Sequence, residues 1–185
     1  MEKHLTRNEL FSTLLKKAKN PFTTIEQKND IRRILMESTT MRGMNHIFLL
    51  KCHFDENPIF NISKKEAIHQ ANLAIKENNT DVFYYLYLLC KDNFPSRARN
   101  YLRLACTYGK KEAYLEMGRL KKEGILFEKN IEEAFKNYKI AADCNLKEGY
   151  FGMLLIASEK QDYELEQQIY EEARKKGIEL PGIIK

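Results

Sequence analysis

The sequence predicts an all-α fold made of about five antiparallel helix pairs. Apolar residues recur at helical spacing along the chain, and no segment shows the alternating pattern of a strand. Eight glycines and four prolines among 185 residues are too few for a turn-rich all-β protein. A third observation, a repeated alanine pattern, indicates that the helices are stacked as repeats rather than packed around one centre.

The repeated pattern is a pair of alanines seven residues apart, followed four residues later by glycine or asparagine. Its copies are Ala67, Ala74 and Asn78; Ala98, Ala105 and Gly109; and Ala134, Ala141 and Asn145. A fourth copy keeps Ala173 and Gly177, with Glu166 in place of the first alanine. The second alanines are 31, 36 and 32 residues apart, a period typical of stacked helical pairs.

The pattern has a direct physical interpretation. Positions seven apart lie on one face of a helix, where a methyl group lets a neighbouring helix approach closely. Glycine or asparagine after the helix tolerates the left-handed conformation that ends it. We therefore expect the alanines to be buried between helices, and the closing residues to lie at helix C termini.

Ten helices are predicted, joined by short loops that favour antiparallel neighbours. Their ranges are 6–19, 24–38, 44–54, 64–77, 81–91, 96–107, 111–123, 131–144, 148–159 and 162–176. Capping boxes mark several starts: Thr6 with Glu9, Thr23 with Glu26, Ser63 with Glu66 and, as a near variant, Asn130 with Glu133.

The net charge of +5 is unevenly distributed. Residues 1–60 carry +3, residues 61–122 carry +6 and residues 123–185 carry −4. A solvated charged face is the ordinary explanation, although such asymmetry can also steer a partner or a second copy. The densest basic group is Arg97, Arg99, Arg103, Lys110 and Lys111. This group is less dense than the basic stripe of a typical nucleic-acid-binding protein, so nucleic acid is disfavoured as a partner.

Candidate catalytic or metal-binding groups are weak. His53, Asp55 and Glu56 form a short polar cluster, but no second histidine or cysteine pair stands nearby at ligand spacing. The four histidines are scattered and no phosphate-binding glycine loop is present. We therefore expect no catalytic residue, no metal and no cofactor, and we classify the chain as a non-enzyme.

The sequence shows neither a signal peptide nor a run of eighteen apolar residues. A cytoplasmic location is expected, with export by a non-classical route as the alternative, and no membrane contact. The four cysteines, Cys52, Cys90, Cys106 and Cys144, include no C-x-x-C pair. In that compartment they are expected to be reduced and buried, with a disulfide set as the alternative.

One stretch carries a family resemblance. Residues Ala113 to Asn145, AYLEMGRLKKEGILFEKNIEEAFKNYKIAADCN, resemble the Sel-one-like repeat, a relative of the tetratricopeptide repeat. Direct matches to that repeat are Ala113, Gly118, Gly124, Ala134, Tyr138, Ala141 and Ala142. The departures are Lys121, Leu126 and Asn137, where the pattern has tyrosine, glycine and tryptophan. Residues 46–78 follow the same frame more loosely, and residues 82–109 and 149–177 keep the helices with a shorter inner loop.

The resemblance implies a right-handed α-solenoid of about five helix pairs. Residues 1–43 would form an atypical N-terminal pair, 44–177 the repeat array and 178–185 a tail that either covers the last groove or lies loose. In the tetratricopeptide family the first helix of each pair lines the concave surface. Carried over, the partner-binding candidates are Phe48, Tyr84, Leu88, Lys91, Leu115, Arg119, Lys122 and Phe151.

These features predict a non-catalytic interaction module that binds another protein or peptide on its concave face. The mixture of aromatic and basic candidates suits a partner with acidic residues. The alternative is a regulator that responds to a ligand or peptide, with a link to nucleic acid considered because of the basic segment 28–36. An enzyme with an unrecognised site ranks below both. The expected state is a monomer or a weak homo-oligomer.

Overall fold

A computed structural model describes residues 6–37, 43–56 and 58–181, and in this part of the chain all regular secondary structure is α-helical. The helices are α1 (Arg7–Lys19), α2 (Ile25–Glu37), α3 (Met44–Phe54), α4 (Lys64–Lys76), α5 (Val82–Cys90), α6 (Pro95–Thr107), α7 (Lys111–Glu123), α8 (Ile131–Asp143), α9 (Lys147–Glu159) and α10 (Tyr163–Lys175). Every predicted helix is present, with ends that differ by at most one residue. The all-α prediction is confirmed.

Side chains cap the helix starts largely as predicted. Reciprocal capping boxes join Thr6 to Glu9 and Ser63 to Glu66. The Asn130 side chain accepts a hydrogen bond from the backbone N–H of Glu133 at 2.9 Å. These bonds satisfy backbone donors that would otherwise lack a partner in the first turn.

The box predicted at Thr23 and Glu26 is wrong by one residue. Thr24 Oγ1 accepts from the Gln27 N–H at 3.2 Å, and Gln27 Oε1 accepts from the Thr24 N–H at 3.1 Å. The hydroxyl of Thr23 instead donates to the Lys17 carbonyl at 2.6 Å, across the turn. Both threonines are followed three residues later by a side chain that can accept a hydrogen bond. The sequence therefore allows a capping box at either Thr23 or Thr24.

The recurring alanines and their closing residues occupy the places that the pattern predicts. All seven alanines of the repeat have 0% exposure. The closing residues have positive φ: 56° at Asn78, 75° at Gly109, 60° at Asn145 and 70° at Gly177. In each copy the next N–H returns to the carbonyl of the second alanine, at 2.9–3.1 Å. Four helices therefore end in the same way.

Contacts divide the chain into two compact units, Met1–Leu89 and Cys90–Lys185. In the first unit α1 packs on α2, α2 on α3, and α3 on α4. Its core contains Ile31, Leu35, Leu49, Leu50 and Val82 together with alanines of α4. The division predicted after residue 43 stays a prediction.

In the second unit each helix from α6 to α10 packs on the next, and α7 also contacts α9. The core contains Tyr138, Tyr150, Met153, Ile156 and Ile169. Past α10, Ile178 and Leu180 are partly buried against this core, so the described part of the tail packs on the unit. Each of these helices contacts the next one along the chain, and α7 contacts α9 two helices on. This pattern of contacts is compatible with stacked helical hairpins.

Three glycines hold α7, α8 and α9 close together. The ring of Tyr138 on α8 lies against Gly118 of α7 and Gly152 of α9. A Cβ at Gly152 would lie 2.4 Å from Tyr138 Cδ1, and one at Gly118 would lie 2.8 Å from it. A Cβ at Gly149 would lie 2.5 Å from the backbone nitrogen of Ala142. The helices can approach this closely only because these positions lack a side chain.

Candidate functional site

Four of the predicted partner-binding residues lie on α7 and α9, two contacting helices of the second unit. Leu115, Arg119 and Lys122 are spaced along one side of α7, and Phe151 lies on α9. Leu155 is one turn beyond Phe151 on the same side of α9. These five residues define what we call the α7–α9 face.

The α9 part of this face is apolar and exposed. Phe151 retains 38% of its surface and Leu155 50%. The Lys147 ammonium lies 5.6 Å from the Phe151 ring centroid, within cation–π distance. Leu115 is partly buried and packs on the second core. Neighbouring exposed apolar groups on rigid helices are a usual feature of binding surfaces.

The basic side chains of the α7–α9 face are paired within the unit. Arg119 donates to Glu116 at 2.9 and 2.8 Å, and to Glu123 at 2.6 Å. Lys122 Nζ lies 2.7 Å from Glu159, an ion pair that joins α7 to α9. Two cations therefore face three carboxylates. Lys147, over the Phe151 ring, adds a third cation to this face. The expectation of an acidic partner stays a prediction.

The predicted residues of the first unit contribute to packing. Phe48 makes edge-to-face contacts with Phe11 and Phe60, at centroid distances of 5.9 and 6.3 Å. Leu88 is partly buried against the first core. The partly buried Tyr84 ring lies 6.1 Å from that of Tyr87. Lys91, the first residue after α5, is exposed and belongs to the second unit.

The departures Lys121 and Asn137 from the Sel-one-like pattern line one cavity of about 380 Å³ in the second unit. Lys121 forms an ion pair with Glu133, and Asn137 donates to the Glu133 carbonyl at 2.7 Å. The third departure, Leu126, has a φ of 60°, a conformation that favours glycine. Glycine, the residue of the pattern at this position, would adopt this conformation with less strain than leucine.

The other chemical candidates acquire structural roles. His53 Nδ1 lies 2.7 Å from the Ile62 carbonyl oxygen, at the end of α3. Within the described ranges, no group of three or more histidine, cysteine or acidic side chains could hold a metal ion. All four cysteines have free thiols, but the expected burial is wrong for most of them: Cys52 is buried, Cys90 and Cys106 are partly buried, and Cys144 is exposed. Burial raises the pKa of the Cys106 thiol to about 12, which makes it a poor nucleophile at neutral pH.

Sequence reasoning missed a polar cavity of about 540 Å³ in the first unit. We call it the α2–α4 groove; it is lined by Asn29, Arg32, Arg33, Met36, Glu37, Glu66, His69 and Gln70. Arg32 of α2 forms an ion pair with Glu66 of α4 across it. The sequence feature that could have indicated this groove is Gln70. It is a polar residue on the face of α4 that also contains Ala67, Ala71 and Ala74.

Comparisons with known proteins leave the family open. Scans of protein-family models, curated proteins and solved structures each returned no match. Among the helices of the described residues, none combines the length and apolar character that crossing a bilayer requires. The Sel-one-like repeat therefore stays a resemblance, carried by residues 113–145.

Proposed function

We propose that this chain is a non-catalytic interaction module of stacked helical pairs, and that it binds a segment of another protein on its α7–α9 face. The observation that carries the proposal is the pair Phe151 and Leu155, one turn apart and 38% and 50% exposed. Covering what remains exposed of these side chains would contribute about 1 kcal/mol each, from the usual value for burying a large apolar group.

The geometry of the α7–α9 face suggests the kind of partner. Apolar groups one helical turn apart match a partner helix that presents its own apolar side chains three or four residues apart. The ion pairs of Arg119 and Lys122 would form a polar rim beside that contact. Because those cations are already paired, apolar contact rather than acidic charge would supply the affinity.

The test is capture of binding proteins from the native cell by the double variant F151A/L155A. Ile140, 41% exposed on α8, supplies the matched control I140A. Proteins captured by both wild type and I140A should be lost from the double variant, while the helical circular dichroism of all three stays the same. An unchanged set of captured proteins in the double variant would remove the α7–α9 face as the binding surface.

The ligand-responsive alternative is favoured by one separate observation, the polar α2–α4 groove of the first unit. A link to nucleic acid gains no support from α2, because Arg32 is paired with Glu66 and Arg33 with Asp30 at 3.0 Å. Titration with duplex DNA at low salt tests that link. Saturable, salt-dependent binding would restore it, and no binding would remove it.

A further inference from the structure

A cleft between α6, α7 and the start of α8 lies in the second unit, and none of the five residues of the α7–α9 face lines it. It consists of two cavities, of about 380 and 310 Å³, which share Arg103, Lys121 and Phe127 as lining residues. We call this space the α6–α8 cleft. The larger cavity has a volume at the small end of the range for ligand sites.

Arg103 brings to the cleft a charged group that a ligand can reach. Its side chain is exposed, and its guanidinium carbon lies 5.5 Å from the centroid of the Phe127 ring, a cation–π contact. Among the described residues, no carboxylate forms an ion pair with it. A guanidinium that stacks on a ring keeps the N–H groups at its edge for other acceptors, and these groups match the two oxygens of a carboxylate.

The charged residues that line the cleft include one cation in excess. Lys121 of α7 forms an ion pair with Glu133 of α8. Lys129 and Glu128, both exposed in the loop between those helices, carry charges that balance each other. The excess is therefore the charge of Arg103, which matches a single negative charge. A dianion such as phosphate would meet two carboxylates with only one cation in excess.

The larger cavity also has apolar walls. Met117 of α7, which is 6% exposed, and the partly buried Phe127 both line it beside Arg103. A thioether and an aromatic ring make favourable contacts with apolar and aromatic groups. A ligand that pairs with Arg103 would therefore gain from having an apolar body.

We propose that the α6–α8 cleft binds a carboxylate that is carried on an apolar or aromatic body. The carboxylate pairs with the edge of the Arg103 guanidinium, and the body lies against Phe127 and Met117. Two sources share this chemistry, a small organic acid and the carboxyl end of a peptide whose last residue is apolar. The site uses no residue of the α7–α9 face, so neither proposal depends on the other.

The probes are phenylacetate, its neutral analogue phenylacetamide, inorganic phosphate, and an acetylated Gly-Gly-Phe peptide with a free carboxyl end. Each is added to the full ¹⁵N-labelled chain, and the signals followed are the backbone amide of Phe127 and the side-chain NH₂ of Asn137, which also lines the cleft. Phenylacetate should shift both signals saturably in the millimolar range expected of so small a ligand, and phenylacetamide should not. A peptide that binds at least about tenfold more tightly than phenylacetate identifies a peptide end as the ligand, and a smaller difference identifies an organic acid.

Arg97 supplies a matched control on the same helix. Its guanidinium carbon lies 5.4 Å from the centroid of the Phe94 ring, but Arg97 does not line the cleft. Arg103→Gln should weaken phenylacetate binding at least about tenfold, the usual effect of losing a hydrogen bond to a charged group. Arg97→Gln removes the same charge from α6 and should leave the binding unchanged.

A third variant should strengthen binding, which damage to the fold could not do. Glu133→Gln removes the carboxylate that pairs with Lys121, so that the ammonium group becomes available to the ligand. The capping bond of α8 is kept, because it uses the backbone N–H of residue 133. The affinity for phenylacetate should rise about threefold or more.

Four outcomes would overturn the proposal. They are a shift with phenylacetamide equal to that with phenylacetate, tighter binding of phosphate than of phenylacetate, an equal loss of affinity in the two arginine variants, and the absence of a saturable shift with either carboxylate. The first two would show that the ligand class is wrong, and the third would reduce the effect to the net charge of α6. Each of these results leaves the α7–α9 face untouched, because the probes report on a different set of residues.

Discussion

Adding one methyl group at Gly152 or Gly149 should destabilise the second unit by amounts that differ in a predictable way. At Gly152 the new Cβ would lie 2.4 Å from Tyr138 Cδ1, whereas carbon atoms pack at about 3.5–4.0 Å. The ring would have to move by about 1 Å, and Gly118 already contacts it from α7. Overpacking of this kind costs about 1–3 kcal/mol.

The helix itself partly offsets that cost. Replacing glycine by alanine inside a helix gains about 1 kcal/mol. We therefore expect G152A to lower the free energy of unfolding by about 1 kcal/mol. At Gly149 the new Cβ would meet backbone, 2.5 Å from Ala142 N and 2.6 Å from the Tyr138 carbonyl oxygen. Backbone yields less readily than a ring, so the overpacking cost should lie near 3 kcal/mol, and after the same helical gain G149A should cost about 2 kcal/mol.

Urea unfolding followed by circular dichroism measures both effects, with G109A as the matched control. Gly109 has a φ of 75° and no heavy atom within 4 Å of an added Cβ. G109A should therefore cost about 1 kcal/mol from backbone strain alone. The sharper test is the cycle of G152A with Y138A, in which removing the ring should cancel the penalty of the methyl group. Additive effects of the two changes would refute the steric explanation.

Three further predictions concern single residues. At pH 8 a thiol with a pKa of about 12 has roughly a thousandfold less thiolate than one with the ordinary value of 9.0. The thiolate of higher pKa is intrinsically more reactive, which offsets part of this difference. Cys106 should therefore react with iodoacetamide about fiftyfold more slowly in the folded chain than in the urea-unfolded chain, as measured by mass spectrometry. S63A should lower the free energy of unfolding by about 1 kcal/mol at pH 7, because it removes a capping box. The hydrogen bonds of Ser63 lower the pKa of Glu66 below 4.5, so their contribution to stability is complete above pH 4.5 and is lost as the pH falls through the lowered pKa. Urea unfolding at about pH 3 should therefore show a smaller stability difference between S63A and wild type. N145V should cost about 1–2 kcal/mol and N145G close to nothing, since φ is 60° at Asn145; equal losses in the two variants would contradict the left-handed helix end.

The helices were predictable because their signals are local. Capping residues, apolar spacing and closing glycines or asparagines act within one or two turns, which is why the predicted and observed ends agree. The one error, Thr23 for Thr24, arose where two overlapping capping patterns competed over adjacent residues. Nothing in the local sequence favours one register, since the choice depends on the turn that follows α1.

The candidate site was only partly predictable. The pairing of Arg119 with Glu116 and Glu123 could have been read from the sequence, because those residues lie three before and four after it on one helix. The pair between Lys122 and Glu159 could not, since it spans 37 residues and needs α7 beside α9.

The α2–α4 groove depends on the same kind of long-range information. His46 and Gln70 are 24 residues apart and meet only once α3 packs on α4. The sequence shows a glutamine among buried alanines, but it does not show which side chain meets it.

The most direct test of the interaction proposal is site-specific photo-cross-linking from the α7–α9 face. A benzophenone amino acid is placed at Leu155 or, as the control, at Ile140, which has similar exposure on α8. In extracts of the native cells, irradiation should join the Leu155 probe to one discrete protein and leave the Ile140 probe unattached. Equal adducts from both positions, or no adduct from Leu155, would contradict the proposal that this face binds a partner.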